Sequence, residues 1–208
     1  MTVYPITDLG DFGTDCYIIP TPENNAVLID APCSAEIISK KLGSLGLNLK
    51  KILLTHGHCD HIEALGGLSE KYGCEVYISA EDSAMLTDPR LCLASYFGTD
   101  FTPFYGAKLL GSKVVLDGVA LKVIPTPGHS AGSVCYLADG CIFTGDTLFA
   151  GSVGRTDLGG SFSELMNSVA KLIRLGKNYV IYPGHGGASD LDAELMYNPY
   201  LEELRRRL

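Results

Sequence analysis

The chain has 208 residues, 46% of them hydrophobic and 19% charged, so it can bury a sizeable core and is not a disordered tail. At about 150 residues per domain, 208 residues make a single domain spanning 1–208 and exclude a multidomain machine. Lys and Arg number 16 against 24 Asp and Glu, and the net charge of −8 repels a phosphate backbone, so nucleic acid is not expected as a partner.

In chain order, the stretch from Met1 to Phe12 carries Asp8 and Asp11 where an export signal would be basic and then apolar. No apolar run in the sequence approaches the roughly 18 residues of a membrane span, so a cytoplasmic protein without membrane contact is expected. Asn25 to Ala31 reads as a strand, and Ser34 to Leu45 as a helix from the spacing of Ile37, Ile38, Leu42 and Leu45 before Gly46. Lys51 to Thr55 reads as a second strand, and Ile62, Leu65, Leu68 and Tyr72 predict a second helix that stops at Gly73. Glu75 to Ser79 is strand-like. Met85 to Lys108 mixes Pro, Gly and aromatic residues without a period and is assigned to a long connection or lid.

Val119 to Ile124, Ser133 to Leu137 and Cys141 to Thr144 read as three further strands. Ser161 to Glu164 has capping-box spacing for a helix running through Leu175, Val180 to Tyr182 is a last short strand, and helical text resumes at Leu191. Each strand-rich half alternates with helices, which predicts an α/β layered fold with sheets covered on their outer faces. The seven cysteines are scattered and form no C-x-x-C pair, as expected of reduced thiols rather than a disulfide framework or zinc knuckle.

The five histidines carry the chemistry. His56, His58 and His61 share one loop, His129 follows Pro127-Gly128, and His185 follows Pro183-Gly184, so all fall just past predicted strand ends in glycine-containing turns. Residues two apart on extended chain point the same way, so His56 and His58 should converge, with Asp60 and His61 displaced toward a second position. The five imidazoles, Asp60, and Asp146 at the end of a strand make seven donors, too many for one zinc. If Asp146 bridges, the count becomes about four contacts per metal, which selects a dinuclear site with room for a shared hydroxide. Two divalent cations, Asp60, Asp146 and hydroxide leave a core of about +1, suited to an oxyanion forming beside it.

With H-x-H-x-D-H at His56 to His61, then His129, Asp146 and His185 in order, the sequence resembles the metallo-β-lactamase superfamily across nearly its whole length. The segments Leu28-Ile29-Asp30, Thr126-Pro127-Gly128-His129, Phe143-Thr144-Gly145-Asp146, Gly154-Arg155-Thr156-Asp157, Pro183-Gly184-His185-Gly186 and Asn198-Pro199-Tyr200-Leu201 look like its glyoxalase II-like thioesterase branch. The resemblance implies a four-layer αββα sandwich with the metals at one edge of the two sheets. It implies one ion on His56, His58 and His129, another on Asp60, His61 and His185, and Asp146 between them. It further implies two divalent metal ions, zinc first with iron or manganese as the other candidates. The implied reaction is hydroxide attack on a small-molecule thioester such as an acyl-glutathione or another acyl-thiol. Asp60 is the candidate catalytic residue, as a ligand that also holds or shuttles the hydroxide proton.

Full-length hydroxyacylglutathione hydrolases carry basic glutathione contacts in a C-terminal helical domain, which is not expected within these 208 residues. Arg155 and Asp157 stand where those enzymes place a Lys and a Tyr, and Gly187 where an aromatic follows the last His. Arg155 is a substrate-clamp candidate or the partner of Asp157 in an ion pair. Asp30 either orients a ligand imidazole or caps a turn. Cys59 is redox-sensitive or simply packed behind its loop, and Tyr96, Phe97, Phe101, Phe104 and Tyr105 wall a cleft or fill core. Two rival reaction classes remain. One is a mononuclear iron persulfide dioxygenase, since relatives of that kind hold iron by residues matching His56, His129 and Asp146. The other is a serine hydrolase, suggested by G-x-S-x-G at Gly128 to Gly132, although Pro125 and Pro127 precede Ser130 and β-like residues follow it, unlike a nucleophile elbow.

Overall fold

The computed structural model describes residues 1–207. It opens with an antiparallel hairpin of β1 (Tyr4–Leu9) and β2 (Thr14–Pro20) that the sequence reading missed. β2 reads TDCYIIP and is buried from Thr14 through Ile19, so it shows no polar alternation to betray a strand. β3 (Asn25–Ile29), α1 (Ala35–Ser44) and β4 (Asn48–Leu53) follow. Ser34 caps α1, its Oγ accepting from the Glu36 N–H at 3.2 Å.

The predicted helix from Ile62 is shorter than expected. Residues Cys59–His61 form a 3-10 turn, and α2 covers only Leu65–Tyr72 before Gly73, at φ 60°, ends it in the left-handed region. Asp60 and His61 therefore sit on a tight turn rather than at a helix start. After β5 (Glu75–Ile78), the stretch assigned to a long connection carries a 3-10 turn at Ser83–Leu86, the one-turn helix α3 (Ala94–Phe97) and the start of β6 (Lys108–Leu109).

The second half contributes β7 (Lys113–Leu116), β8 (Val119–Pro125), β9 (Val134–Ala138), β10 (Cys141–Gly145), the two-residue strands β11 (Leu148–Phe149) and β12 (Ser152–Val153), and α4 (Phe162–Ile173). The chain finishes with β13 (Val180–Pro183), β14 (Ser189–Asp190), α5 (Leu191–Tyr197), a 3-10 turn at Pro199–Leu201, and α6 (Glu202–Arg207). As the capping-box spacing predicts, Ser161 Oγ accepts from the Glu164 N–H at 3.4 Å.

The strands form two sheets, β1-β2-β3-β4-β5-β6 and β14-β13-β10-β9-β8-β7. Period-two alternation sorts each sheet's side chains to opposite faces. In β2, Ile18 turns to the layer of Leu28, Ile38, Leu42, Leu65 and Leu68 under α1 and α2. Its neighbour Ile19 turns inward, to the layer of Val27, Leu53, Val123, Tyr136 and Phe143 between the sheets. On the far side Ile124, Cys135 and Ile142 pack against Leu165, Val169 and Leu172 of α4 and Leu191 of α5. The result is the αββα order of layers. No helix among the described residues is long and apolar enough to cross a membrane.

Candidate metal centre

Four strand ends deliver the site. β4 runs into the loop from Thr55 to His61, β8 into Thr126 to His129, β10 into Asp146, and β13 into His185. The two sheets are tied together there: the Asp15 N–H donates to the Gly184 carbonyl at 2.7 Å, and Thr14 forms an isolated bridge with His185. All five histidines and both carboxylates singled out in the sequence meet at this edge.

They meet as two groups. His129 Nε2 lies 2.8 Å from His58 Nδ1 and 3.2 Å from His56 Nε2. Beside them Asp60 Oδ2 lies 3.4 Å from both His61 Nε2 and His185 Nε2. Asp146 reaches both groups, with Oδ2 3.5 Å from His129 Nε2 and 3.4 Å from His185 Nε2, and Oδ1 3.4 Å from His61 Nε2. One ligand atom from each of His56, His58 and His129 falls within 4.8 Å of the others, and the same holds for Asp60, His61 and His185.

The outer ring nitrogens of His56, His61, His129 and His185 are each spoken for, which aims the inner ones. His61 Nδ1 donates to Asp30 Oδ2 at 2.9 Å, His129 Nδ1 to the Arg155 carbonyl at 2.8 Å, and His185 Nδ1 to the Phe12 carbonyl at 3.2 Å. Thr55 Oγ1 donates to Asp30 Oδ2 at 2.8 Å, so it accepts from His56 Nδ1 at 3.1 Å. Asp30 also accepts the Thr55 N–H at 2.7 Å, and so orients imidazoles of both groups. Thr14, hidden in the strand the sequence did not reveal, donates from Oγ1 to Asp60 Oδ2 at 2.9 Å.

Charge divides the two groups. Burial, reinforced by the neighbouring imidazoles, drives His56 well below the usual imidazole range and His58 down to about 3, so both are neutral nitrogen donors. Burial opposes charge on His61 and His185 too. It is overcome by the Asp60 and Asp30 charges at His61, and at His185 by hydrogen bonds to Asp146 and Asp60 that push it up to about 10. Burial would raise the Asp60 carboxyl, but the His61 charge prevails and holds it at about 2, while Asp146 is held well below the usual carboxylate range in the same way.

This donor set fits cations. The inner nitrogens of His56 and His129 both present lone pairs, since their outer nitrogens donate, and they lie 3.2 Å apart with no donor between them, while His61 Nε2 and Asp146 Oδ1 are buried without a hydrogen-bond partner. The packing behind them leaves room for nothing else: a Cβ at Gly184 would stand 2.2 Å from Asp146 Oδ1 and 2.8 Å from His61 Cε1.

The groups open into a cavity of about 300 Å³ whose apolar wall is Phe12, Leu93, Phe97, Phe149, Val153 and Leu158. Of the aromatic cluster noted in the sequence only Phe97 lines it, edge-on to Phe12 at 5.0 Å. Phe101 and Phe104 pack on the core, and Tyr96 and Tyr105 are exposed. Arg155 is the only arginine or lysine lining the cavity among the described residues, and its guanidinium is held by Asp157 through two 2.7 Å bonds. Cys59 is buried in the core behind its loop. The serine-hydrolase reading is overturned. Ser130 is buried in the loop between β8 and β9, and its hydroxyl bonds Asp82 at 2.6 Å and Ser133 at 2.7 Å rather than a histidine.

Residues 9–185 match the metallo-β-lactamase superfamily. The chain belongs to that superfamily and is a metallo-hydrolase of it. It is 34% identical over 207 residues to hydroxyacylglutathione hydrolase GloC of Haemophilus influenzae, covering 96% of each chain. Among solved structures it is similar to the B3 metallo-β-lactamase BLEG-1, with a TM-score of 0.89 and 31% identity over 97% of this chain and 100% of that one. It is also similar to TTHA1623 in a di-iron-bound form, with a TM-score of 0.86 and 34% identity over 95% of this chain and 100% of that one.

Proposed function

We propose that the chain is a dinuclear metal-dependent hydrolase of small thioesters, glyoxalase II-like in chemistry. The observation that carries this reading is the convergence of seven donors into two groups sharing Asp146 at the floor of an apolar-walled cavity. His56, His58 and His129 would hold one divalent cation, Asp60, His61 and His185 the other, and Asp146 would span them; zinc is the first candidate, and the di-iron form of TTHA1623 keeps iron beside it. Bound there, the cations supply an acidified water and a polarised acyl carbonyl.

The chain's own residues do the rest. Phe12, Phe97 and Phe149 exclude bulk water and hold the acyl chain by apolar contact. The Asp60 carboxylate, fixed by Thr14 and lining the cavity, orients the attacking water and takes up its proton. Arg155 is the proposed contact for a substrate carboxylate, reached by exchanging Asp157 for substrate. The printed activity of GloC makes an acyl-glutathione the first substrate to try. All seven cysteines are free, which supports a reducing compartment such as the cytoplasm.

The test is metal analysis of protein grown without supplementation, with parallel assays of lactoylglutathione hydrolysis and persulfide-dependent oxygen uptake. Two metals per chain with hydrolysis is the expected result. One tightly held iron with oxygen uptake on a persulfide would replace this reading by the dioxygenase.

A further inference from the structure

A buried carboxylate outside both ligand groups joins the loops that bring His56, His58 and His129 together. Asp82, fully buried, lies between β5 and the 3-10 turn that follows it. Its Oδ2 accepts from the Gly57 N–H at 3.2 Å, in the middle of His56-Gly57-His58. The same oxygen accepts from Ser130 Oγ at 2.6 Å, one residue past His129, and its Oδ1 accepts from the Gly132 N–H at 2.8 Å. Ser130 is fixed in turn by Ser133, whose Oγ accepts the Ser130 N–H at 3.1 Å. At Gly132 a Cβ would lie 2.6 Å from Asp82 Cγ and 2.2 Å from Ser79 Oγ, so the approach of this loop requires a residue without a side chain. The G-x-S-x-G spacing therefore has a structural use: it presents a hydroxyl and a backbone N–H to one carboxylate.

We infer that Asp82 is a positioning residue that sets the cation affinity of the His56, His58 and His129 group apart from that of the Asp60, His61 and His185 group. The inference rests on the metal-binding reading given above. His56 and His58 come from the loop after β4 in one sheet, and His129 from the loop after β8 in the other. Cation-to-imidazole distances tolerate only about 0.2 Å of error, so two loops from separate sheets need a common anchor to hold three ring nitrogens on one point. Asp82 supplies that anchor through three donors. Asp82 touches nothing in the other group, which is held by Thr14 on Asp60, the Phe12 carbonyl on His185 and Asp30 on His61, the last reaching the first group only through Thr55.

Apo protein is titrated with Co²⁺ against a competing chelator, reading stoichiometry and the two stepwise affinities from visible absorption. Wild type is expected to take two ions per chain. Asp82→Ala is expected to weaken one of them about 10- to 100-fold and leave the other within about twofold. Asp82→Asn keeps an acceptor on one side only and turns an NH₂ toward a donor on the other, so its loss falls between wild type and the alanine variant. Ser130→Ala, which removes one donor of three, loses least. In a His58→Ala background, Asp82→Ala adds no further loss, which identifies the affected group. Equal weakening of both ions, or of neither, overturns the role of Asp82 while leaving the metal-binding reading standing; a wild-type chain that takes up no cation overturns both. Thermal melts of the apo variants accompany the titration, and if Asp82→Ala does not fold, Asp82→Asn and Ser130→Ala carry the same comparison.

Discussion

The two ligand groups are built from similar parts and differ in electrostatics. Beside His129 stand His56 and His58, both driven neutral by burial and by neighbouring imidazoles, with Asp146 the carboxylate in reach. Around His61 stand the carboxylates of Asp30, Asp60 and Asp146, and the imidazoles of His61 and His185 hold protons beside them where a cation would otherwise provide the charge. A cation entering the first group meets free lone pairs, whereas one entering the second displaces protons. The two groups are thus made unequal by what lies behind them, and Asp146, within 3.5 Å of both, is the residue that couples them.

That coupling is the first thing to break. Asp146→Ala should release both metals and lower hydrolysis by more than about 10²-fold, beyond the usual cost of losing a residue that merely orients a ligand; metal content and turnover measured on the same sample check it, and retention of either metal at full affinity would show the groups to be independent. Thr14→Val should sharpen the contrast, since it removes a donor from Asp60 alone. The expected loss is about fivefold in the affinity of one ion, from a buried acceptor left unsatisfied at a cost of about 1 kcal/mol, read by the same cobalt titration.

Phe97→Ala addresses the cavity rather than either group. Its half-exposed ring should be worth about 1 kcal/mol of apolar contact, so kcat/KM for an acyl-thiol should fall several-fold, mostly through KM, with both metal affinities unmoved. The smallest effect is expected far from the site. Hydrogen bonds from Lys108, Lys51 and Tyr77 hold the Glu75 carboxyl at about 2, below its ordinary 4.5. A depressed carboxyl contributes stability above pH 4.5 that is lost as pH falls through about 2. Glu75→Gln should remove that slope from thermal melts recorded against pH, an effect of about 0.5–1 kcal/mol for an exposed pair.

The meeting of the histidines was legible because a polar side chain just past a strand end stands out against an apolar run, and His56 and His58 needed only local geometry to be paired. What escaped is what only tertiary folding brings close. Thr14 is 46 residues from Asp60, and Asp82 is 48 from Ser130; neither carries a local signature beyond an ordinary strand or cap residue. β2 escaped because burial on both faces erases alternation. The turn at Cys59–His61 escaped because the apolar spacing of Ile62, Leu65 and Leu68 continues a helical pattern backwards past the point where the ligand loop interrupts it. Arg155 illustrates a third kind of gap: sequence offered both a clamp and an ion pair, and the structure has the ion pair at the rim of the cavity where a clamp would be needed.

The absence of a side chain at Gly184 has a practical consequence for anyone reshaping specificity. The rear of the site tolerates no added atom, since even a methyl group there would collide with Asp146 and His61. Laboratory evolution toward bulkier acyl groups must therefore work from the apolar lining of the cavity, at Leu93, Phe97 and Leu158.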